Sequence, residues 1–343
     1  MRADTRPRYA AGMKAFKRIA ALLVLLLVLA AAYVAIQSQR RPPLAPYSAL
    51  VLPPALPTAP IRVQFAGVCT LVFDDGETAV MTDGFFSRPA FSRVAFSKIA
   101  PDEAAVDASL AALKLRSKLA AIVPVHGHYD HAMDAPMVAR KTGALLLGDE
   151  SVLNVGRGAG LPEQAMRKMA PGDTAEFGRW RLSFIASRHA PTPFSSGEGG
   201  EHTVRPLTPP ARATDWREGQ TWSLLVEHRS GRSYLVQGSA GFVEGALRGR
   251  HADVVFLGIG ALGKQSADYR AKLWREVVVA VGARRVVAVH WDDFTLGLDR
   301  PLQPMPYLAD DFPATMDDLG RFAAAGRQDL RLPPVLVPFD PTP

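Results

Sequence analysis

Four side chains that can bind a metal ion lie within six positions of the sequence, in the run HGHYDH at residues 126–131. Imidazole nitrogens and carboxylate oxygens are ligands that zinc takes at about 2.0–2.2 Å. His126 and His128 can point the same way from an extended stretch, while Asp130 and His131 turn towards a neighbouring position. The chain has only eight histidines, so a polar surface loop explains this run poorly. The run predicts a metal site.

Apolar stretches precede this run and two further histidines. LAAIVPV, at residues 119–125, is typical of a buried strand and leads directly into the HGHYDH run. His189 follows FIASR and His290 follows VVAV, which have the same character. Antiparallel strands in the first part of the chain, then helices alternating with strands, favour an α/β fold of stacked sheets with helices on the outer faces.

The remaining pattern predicts the elements of that fold. Strands are expected within 61–67, 69–75, 78–84, 119–125, 144–148, 253–260 and 284–290, with hairpins over 173–187 and 221–237. Helices are expected over 102–115, 133–140, 267–281 and 315–325. Segment 190–219 is rich in Pro, Gly, Ser and Thr without periodicity, which favours a functional loop.

The motif His-x-His-x-Asp-His resembles the signature of the metallo-β-lactamase-fold hydrolase superfamily, and the similarity extends from about residue 61 to 340. That resemblance implies an αββα sandwich with metals at one edge. It implies one zinc on His126, His128 and His189, and another on Asp130, His131 and His290. Asp83, in MTDG, resembles the acid that supports the metal loop. His202, His228 and His251 fall outside these motifs and are expected at the surface.

One position departs from the family pattern. Ser239, in YLVQGSAG, stands where many relatives have a metal-bridging Asp. A hydroxyl is a weaker ligand and cannot supply negative charge between two cations. We therefore expect one or two zinc ions, with two favoured and the second more weakly bound. Asp292 and Asp293 are candidates to orient a ligating histidine, although either could equally bond nearby backbone.

The resemblance also implies a reaction. A zinc-bound hydroxide would attack a carbonyl or phosphorus centre, with Asp130 orienting it and taking part in proton transfer. HGHYDHAMD, DVVFLGIGALG and HWDDFTLGLDRP are similar to segments of the N-acyl-phosphatidylethanolamine phospholipase D and ascorbate-6-phosphate lactonase branch. We therefore expect a phosphodiester, ester or lactone substrate, with a lipid-derived one as an option. Five loop residues are candidates to cover the site and bind an anionic head group: Phe194, Arg205, Arg212, Trp216 and Arg217.

Two other functions remain open from the sequence. A β-lactamase could use the same His and Asp ligand set, and a non-catalytic metal-binding domain could have lost turnover with the bridging Asp. The ligands do not exclude iron, which would allow a redox role. Solvated charges explain the loop arginines equally well. Cys69 is the only cysteine, so an intramolecular disulfide is excluded.

The N-terminal residues predict a membrane anchor. Residues 1–41 carry the whole net charge of +7, so the remainder is neutral and lacks the field of a nucleic-acid binder. The segment 19–36 has no charge, and as a helix it would span roughly 27 Å. Basic residues before it place 1–18 in the cytoplasm and the hydrolase domain, 61–340, on the far side of the membrane. A Pro-rich linker is expected at 37–60. Cleavage at Ala30-Ala31-Ala32 would instead give a secreted protein.

Overall fold

Two mixed β-sheets with helices on their outer faces make up the computed structural model. It describes the backbone of residues 6–192 and 200–343, with side chains from residue 16 onward. The strands are β1 (Arg62–Phe65), β2 (Leu71–Asp74), β3 (Thr78–Thr82), β4 (Lys98–Ile99), β5 (Lys118–Val123), β6 (Leu145–Gly148), β7 (Met166–Lys168), β8 (Thr174–Phe177), β9 (Trp180–Ser187), β10 (Ala211–Arg212), β11 (Thr221–His228), β12 (Ser233–Gln237), β13 (Val254–Gly258), β14 (Arg285–Val289) and β15 (Asp329–Arg331). The helices are α1 (Arg6–Gln39), α2 (Phe91–Phe96), α3 (Glu103–Leu113), α4 (Tyr129–Ala132), α5 (Ala135–Thr142), α6 (Glu150–Gly158), α7 (Ala267–Leu273), which continues as a π-helical turn over Trp274–Val279, and α8 (Phe312–Gly326).

Each sheet combines an antiparallel part with a parallel part. The first has the order β1-β2-β3-β5-β6-β7, antiparallel from β1 to β3 and parallel from β3 to β7. The second has the order β15-β14-β13-β12-β11-β9-β8, parallel from β12 to β15 and antiparallel from β8 to β12. β4 and β10 form a separate two-stranded sheet. The predicted hairpins within 173–187 and 221–237 are both present.

Apolar side chains between the two sheets form the main core. Phe73 of β2 lies against Tyr234 of β12 and Phe256 of β13, with ring centroids 5.4 and 5.5 Å apart. The outer face of the first sheet is covered by helices α3, α5 and α6, and that of the second by α7 and α8. This order of layers confirms the αββα sandwich expected from the sequence.

Helix starts follow side-chain capping. Asp102, Asp149 and Asp311 accept hydrogen bonds from backbone N–H groups in the first turns of α3, α6 and α8. A capping side chain satisfies one of the donors that the start of a helix leaves unpaired. The bounds predicted from the sequence for α3 and α8 differ by only a few residues from those observed, whereas α6 was not predicted.

Helix α1 is longer than the predicted span of 19–36. Judged by length and composition only, its 24-residue part Phe16–Gln39 is long and apolar enough to cross a membrane, and an 18-residue window within it has a mean hydropathy of 3.0. None of that segment is buried against the rest of the described chain. Insertion in a bilayer stays a prediction.

The Pro-rich segment 37–60, predicted as a semi-extended linker, packs in part on the domain. Helix α1 continues to Gln39, and a 3₁₀ helix follows over Ala45–Leu50. The backbone N–H groups of Leu52 and Ala55 donate to carbonyls near the C-terminus, and Leu52 is buried. The proline content suggested an extended linker. Apolar residues between the prolines, such as Leu52, are instead removed from water by packing against the domain.

Candidate metal centre

Parallel strands place the predicted metal residues at one edge of the sandwich. In the first sheet, Asp83 follows β3, and His126 lies shortly after β5. In the second sheet, His189, Ser239 and His290 follow β9, β12 and β14, which run in the same direction. The carboxyl ends of parallel strands meet at the same edge of a sheet. The fold therefore brings together residues far apart in the sequence.

Three histidines form a first ligand cluster, made of His126, His128 and His189. One ring nitrogen from each lies within 4.8 Å of the others. His126 Nε2 and His128 Nδ1 are 3.0 Å apart, and the His189 ring centroid is 4.9 and 4.8 Å from those of the other two. These are the residues that the resemblance assigned to one zinc.

Asp130, His131 and His290 form a second ligand cluster beside the first. Their ligand atoms also lie within 4.8 Å of one another. Asp130 Oδ2 lies 3.5 Å from both His131 Nε2 and His290 Nε2. The ring centroids of His126 and His131 are 3.9 Å apart, so the two clusters are in contact.

The donor set fits a divalent cation. Among the described residues, His126 Nδ1, His131 Nε2 and His290 Nδ1 are buried without a hydrogen-bond partner. Burial, aided by neighbouring imidazoles, lowers the pKa of His126 and His131 well below the usual value, that of His128 to about 3 and that of His290 to about 4. These rings are therefore neutral near pH 7 and offer lone pairs to a metal. Of these three, His131 Nε2 faces its cluster, 3.5 Å from Asp130 Oδ2, and a cation bound there would remove the cost of burying it without a partner.

The Asp130 carboxyl distinguishes the second cluster. Its pKa is raised to about 7, mainly by burial and in part by the charge of Asp292, while a backbone hydrogen bond and the charge of Arg88 act in the opposite direction. A cation in contact with the group would favour its ionised form. Protons and metal therefore compete for this carboxylate close to neutral pH.

Asp83 holds His131 in a defined orientation. Its Oδ2 lies 2.7 Å from His131 Nδ1, and its Oδ1 accepts a hydrogen bond from the Val125 N–H. With Nδ1 engaged by a carboxylate, His131 presents Nε2 to the second cluster. The Cys69 thiol also lies within 4.8 Å of these two residues, but burial raises its pKa well above the usual range. It therefore stays a thiol and donates to the Gly238 carbonyl.

Backbone contacts hold His290 in an unusual conformation. Both His290 and Val68 have positive φ, at 56° and 49°. The His290 N–H donates to the Val68 carbonyl at 2.7 Å, and the Val68 N–H donates to Asp292 Oδ1 at 2.8 Å. A non-glycine residue in this region of φ is strained and persists only when its surroundings fix it. These two hydrogen bonds are that constraint.

Arg88 completes the support around Asp292. Its Nη2 lies 2.5 Å from Asp292 Oδ2, and neither side chain is exposed. The same guanidinium donates to the carbonyls of Asp293 and Leu296. A buried Arg–carboxylate pair with further hydrogen bonds fixes the geometry of the loop that follows His290.

The two carboxylates after His290 bond other groups than the rings that they were expected to orient. Asp292 bonds Val68 and Arg88, whereas Asp293 Oδ1 accepts from the Thr295 N–H and hydroxyl. Neither is hydrogen-bonded to an imidazole of the described chain, and both bond nearby backbone, which is the alternative that the sequence left open. Asp292 acts instead on the backbone of His290, through Val68.

Asp293 also connects the metal loop to the N-terminal segment. Its Oδ2 lies 2.5 Å from Arg41 Nη1, which also donates to the Pro304 carbonyl at 3.0 Å. The carbonyls of Gln37 and Arg40 accept hydrogen bonds from the 307–308 backbone. The end of helix α1 is therefore bonded to the loop behind the second cluster.

Ser239 supports the first cluster through the backbone. Its hydroxyl accepts a hydrogen bond from the Ala190 N–H at 2.9 Å, next to His189. His189 Nδ1 lies 2.8 Å from the Ala190 carbonyl, which leaves Nε2 as the nitrogen available to a metal. The residue at the usual bridging position thus orients a ligand loop.

The predicted substrate loop has mixed outcomes. Phe194 lies outside the described residues. Trp216 is a core residue, which corrects its predicted role: it is 1% exposed and packs with Phe85, Ile99 and Ala211. A large aromatic side chain in a segment without periodicity suggested a contact with substrate. The loop instead buries Trp216 in a small apolar cluster of its own. The arginines are exposed, and among them Arg217 pairs with Glu201.

Loop backbone also touches the ligand motif itself. The Gly127 N–H donates to the Glu218 carbonyl, and a Cβ on Gly127 would lie 2.3 Å from the Arg217 carbonyl oxygen. Glycine is therefore required between the two motif histidines. The segment around 217–218 lies directly against the first cluster.

The histidines outside the motifs differ in burial. The side chains of His202 and His251 are 57% and 66% exposed. His228 was expected at the surface, but it is 8% exposed and bonds Asp75 at 3.1 Å and Ser230 at 2.8 Å. It lies at the opposite end of the strands from the metal centre, at the end of β11.

Sequence reasoning missed Arg88, Arg41 and Asp134. Asp134 is fully buried and accepts hydrogen bonds from the Phe86 and Ser87 N–H groups, which holds the loop after Asp83. Its only signal was a position just beyond the HGHYDH run. A single arginine between apolar residues, such as Arg88, carries no pattern that separates it from a solvated one.

Comparisons with known proteins agree with this geometry. A family model described as a beta-lactamase superfamily domain matches residues 100–291, more than half of the chain. A UPF0173 metal-dependent hydrolase from Chloroflexus aurantiacus is 29% identical over 85 residues, which are 25% of this chain and 35% of that protein. The chain therefore aligns with about a third of that relative's length.

Two solved structures are also similar. Igni18, described as a metallo hydrolase from Ignicoccus hospitalis, has a TM-score of 0.47 and 15% identity, covering 82% of this chain and 96% of that one. YhfI, a metallo-beta-lactamase fold protein from Bacillus subtilis, has a TM-score of 0.46 and 11% identity, covering 82% of this chain and all of that one. With the family model matched across both the HGHYDH run and His290, the chain belongs to the beta-lactamase superfamily.

Proposed function

We propose that this protein is a membrane-anchored, zinc-dependent hydrolase of phosphodiester, ester or lactone substrates, including lipid-derived ones. The observation that carries the proposal is the pair of ligand clusters in contact at one edge of the sandwich. Structural stability alone does not require five neutral imidazoles and a carboxylate with converging ligand atoms.

The chain's own residues divide the work of such a reaction. Cations bound here would supply Lewis acidity and lower the pKa of water towards neutral pH. The five histidines would hold the cations, while Asp83 and Ser239 fix the orientation of His131 and His189. We assign proton transfer to Asp130, because one carboxylate oxygen faces both His131 and His290 and the group has a second oxygen for the reacting water.

The anchor sets the proposed location. Six basic residues precede the apolar part of α1 and two follow it, which favours a cytoplasmic N-terminus. The catalytic domain then lies on the far side of the membrane. Tethering raises the local concentration of enzyme at the bilayer, which suits an amphiphilic substrate.

Metal analysis of the full chain in detergent tests the proposal first. We expect about two zinc per chain, and loss of metal together with turnover in a His126→Ala, His128→Ala variant. His251→Ala is the matched control, because this exposed histidine belongs to neither cluster. Well-folded protein without metal would contradict the central claim, and iron in place of zinc would redirect it to redox chemistry.

A substrate panel then separates the functions. Turnover of a phosphodiester, ester or lactone supports the proposal, and turnover of nitrocefin alone would instead identify a β-lactamase. If the zinc-loaded protein left the whole panel unchanged, a non-catalytic metal-binding domain would be the better interpretation.

A further inference from the structure

Helix α2 exposes two phenylalanines to solvent. Phe91, its first residue, is 67% exposed, and Phe96, its last, is 84% exposed. Outside α1 they are the two strongly exposed aromatic side chains of the described residues. The two rings stand at the two ends of one short helix, and large apolar side chains exposed to water are costly unless a contact covers them.

The charge around α2 is positive. Arg93 lies within the helix and Lys98 just after it, both exposed. Arg88, the third basic residue between 85 and 101, is buried against Asp292, so Arg93 and Lys98 carry the exposed charge of this stretch. Aromatic and basic side chains together are typical of segments that bind the surface of an anionic bilayer.

Contacts place α2 on the metal-centre side of the domain. Strand β4, which follows α2, pairs with β10 of the 200–217 loop. Ile99 of β4 packs in the same small core as Phe85 and Trp216, and Tyr129 of the ligand motif packs against that core. The segment with α2 is therefore part of the rim of the metal centre.

The end of helix α1 lies close to the same rim. Arg41, two residues beyond α1, bonds the Asp293 carboxylate, and Arg88, three residues before α2, bonds the Asp293 carbonyl. A chain of three residues reaches at most about 11 Å. Helix α2 therefore begins close to the point where α1 would leave the bilayer.

We propose that α2 is a second membrane contact, in which Phe91 and Phe96 enter the surface of an anionic bilayer while Arg93 and Lys98 contact its phosphates. The inference rests on the proposed anchoring and deepens it. Two contacts, α1 and α2, fix the tilt of the domain and turn the rim of the metal centre towards the lipid. The substrate class that this orientation favours is an amphiphile taken directly from the bilayer.

Site-specific fluorescence in nanodiscs tests this without any need for turnover. A fluorophore is placed on Ser97→Cys in the full chain, because Ser97 is exposed beside Phe96 and the native Cys69 is fully buried. Leu27→Cys reports insertion of the anchor. Arg229→Cys, at the opposite end of strands about 25 Å long, is the matched aqueous control.

Lipids carrying a nitroxide at the head group supply the quencher in phosphatidylglycerol-containing nanodiscs. We expect the Ser97 label to be quenched strongly, consistent with insertion of about 5–10 Å, and the Arg229 label to be unaffected. Phe91→Asp with Phe96→Asp should abolish quenching at Ser97 and leave the metal content unchanged. Neutral lipids should weaken it.

The outcomes separate the inference from the proposal beneath it. An unquenched Ser97 label beside a bilayer-protected Leu27 label would overturn the α2 contact while the anchor stands. An aqueous Leu27 label would remove the anchoring and the inference with it. Quenching at Ser97 in protein without hydrolase activity would support the contact and count only against the enzyme assignment.

Discussion

The two ligand clusters differ in how the fold supports them. The first contains nitrogens only, and its described supports are single bonds, from Ser239 to the backbone next to His189 and from Gly127 to the Glu218 carbonyl. The second contains a carboxylate and is held by a long series of contacts through Asp83, Val68 and Asp292. More of the structure is devoted to the second cluster.

This difference relates to the missing bridging carboxylate. With Ser239 at that position, no residue of the described chain supplies negative charge between the two clusters. Asp83, Val68 and Asp292 add no further ligand to the second cluster. They restrict the orientation of the ligand residues His131 and His290. A preorganised site loses less conformational freedom on binding a cation, which compensates in part for weaker electrostatic attraction.

The largest expected effect comes from removing one ligand of each cluster. We expect His128→Ala and His131→Ala each to lower the metal content from about two per chain to about one. Metal analysis after dialysis measures this, with His202→Ala as an exposed control. Loss of both metals from either variant would show that the clusters act as one unit and would end the comparison.

Arg88→Met is expected to be the strongest structural perturbation. It leaves the fully buried Asp292 carboxylate without its charged partner, which costs about 3–5 kcal/mol. The double variant with Asp292→Asn should recover part of the loss. Denaturant unfolding measures both. An equal loss in single and double variants would show that the ion pair itself is not what stabilises the loop.

Asp83→Asn tests the orientation of His131. We expect about 10–100-fold weaker binding of the second cation, since loss of a carboxylate that orients a ligand histidine has effects of this size. Competition with a chelator measures the affinity, and the first cation serves as the internal control. Equal weakening of both cations would argue for a general structural role.

The two clusters should also differ in pH dependence. Burial raises the pKa of Asp130 to about 7, so below that pH a proton must leave before the second cation binds, and the apparent affinity should fall about tenfold per pH unit. The first cluster should keep its cation to lower pH, because the pKa of His128 is lowered to about 3. Titration of metal content between pH 8 and pH 5 checks this sign, and simultaneous loss of both cations would contradict it.

Arg41→Ala should have the smallest effect of the series. The Arg41 side chain is 24% exposed, so loss of its bond to Asp293 should cost about 1 kcal/mol and weaken the second cation a few-fold. Arg40→Ala is the control, because the Arg40 side chain makes only a distant contact with the Tyr307 ring and the variant keeps the backbone hydrogen bond of Arg40. Equal effects of the two would show that charge near the anchor matters and the specific bond does not.

Local pattern was enough to predict the layered fold and a metal site at HGHYDH, and the family resemblance supplied the division of the ligands into two clusters. His126, His128, Asp130 and His131 are adjacent in the sequence, and the strand before each distal histidine predicted its place at the sheet edge. The supports could not be predicted, because they join distant residues. Arg88 and Asp292 are 204 positions apart, and nothing in either neighbourhood indicates the other.

The Pro-rich segment shows a second limit of the same kind. Composition there indicated a free spacer, yet apolar residues such as Leu52 pack on the domain. The predictions for Trp216 and His228 were wrong because the residues next to them in the sequence looked exposed. Only the tertiary fold shows which residues cover these two side chains. Composition describes a segment, and burial depends on the rest of the chain.

The bond between Arg41 and Asp293 moves the boundary of the functional unit. The structural unit that contains the metal centre begins near Gln37, because the Gln37 carbonyl already accepts a hydrogen bond from the domain. It does not begin at the first strand. A signal peptidase cutting at Ala30-Ala31-Ala32 would leave this unit whole. A protease cutting just after Arg41 would release the domain and at the same time remove the ion pair between Arg41 and Asp293. Two cleavage sites about ten residues apart would therefore have different effects: the first would preserve the affinity for the second cation, and the other would weaken it.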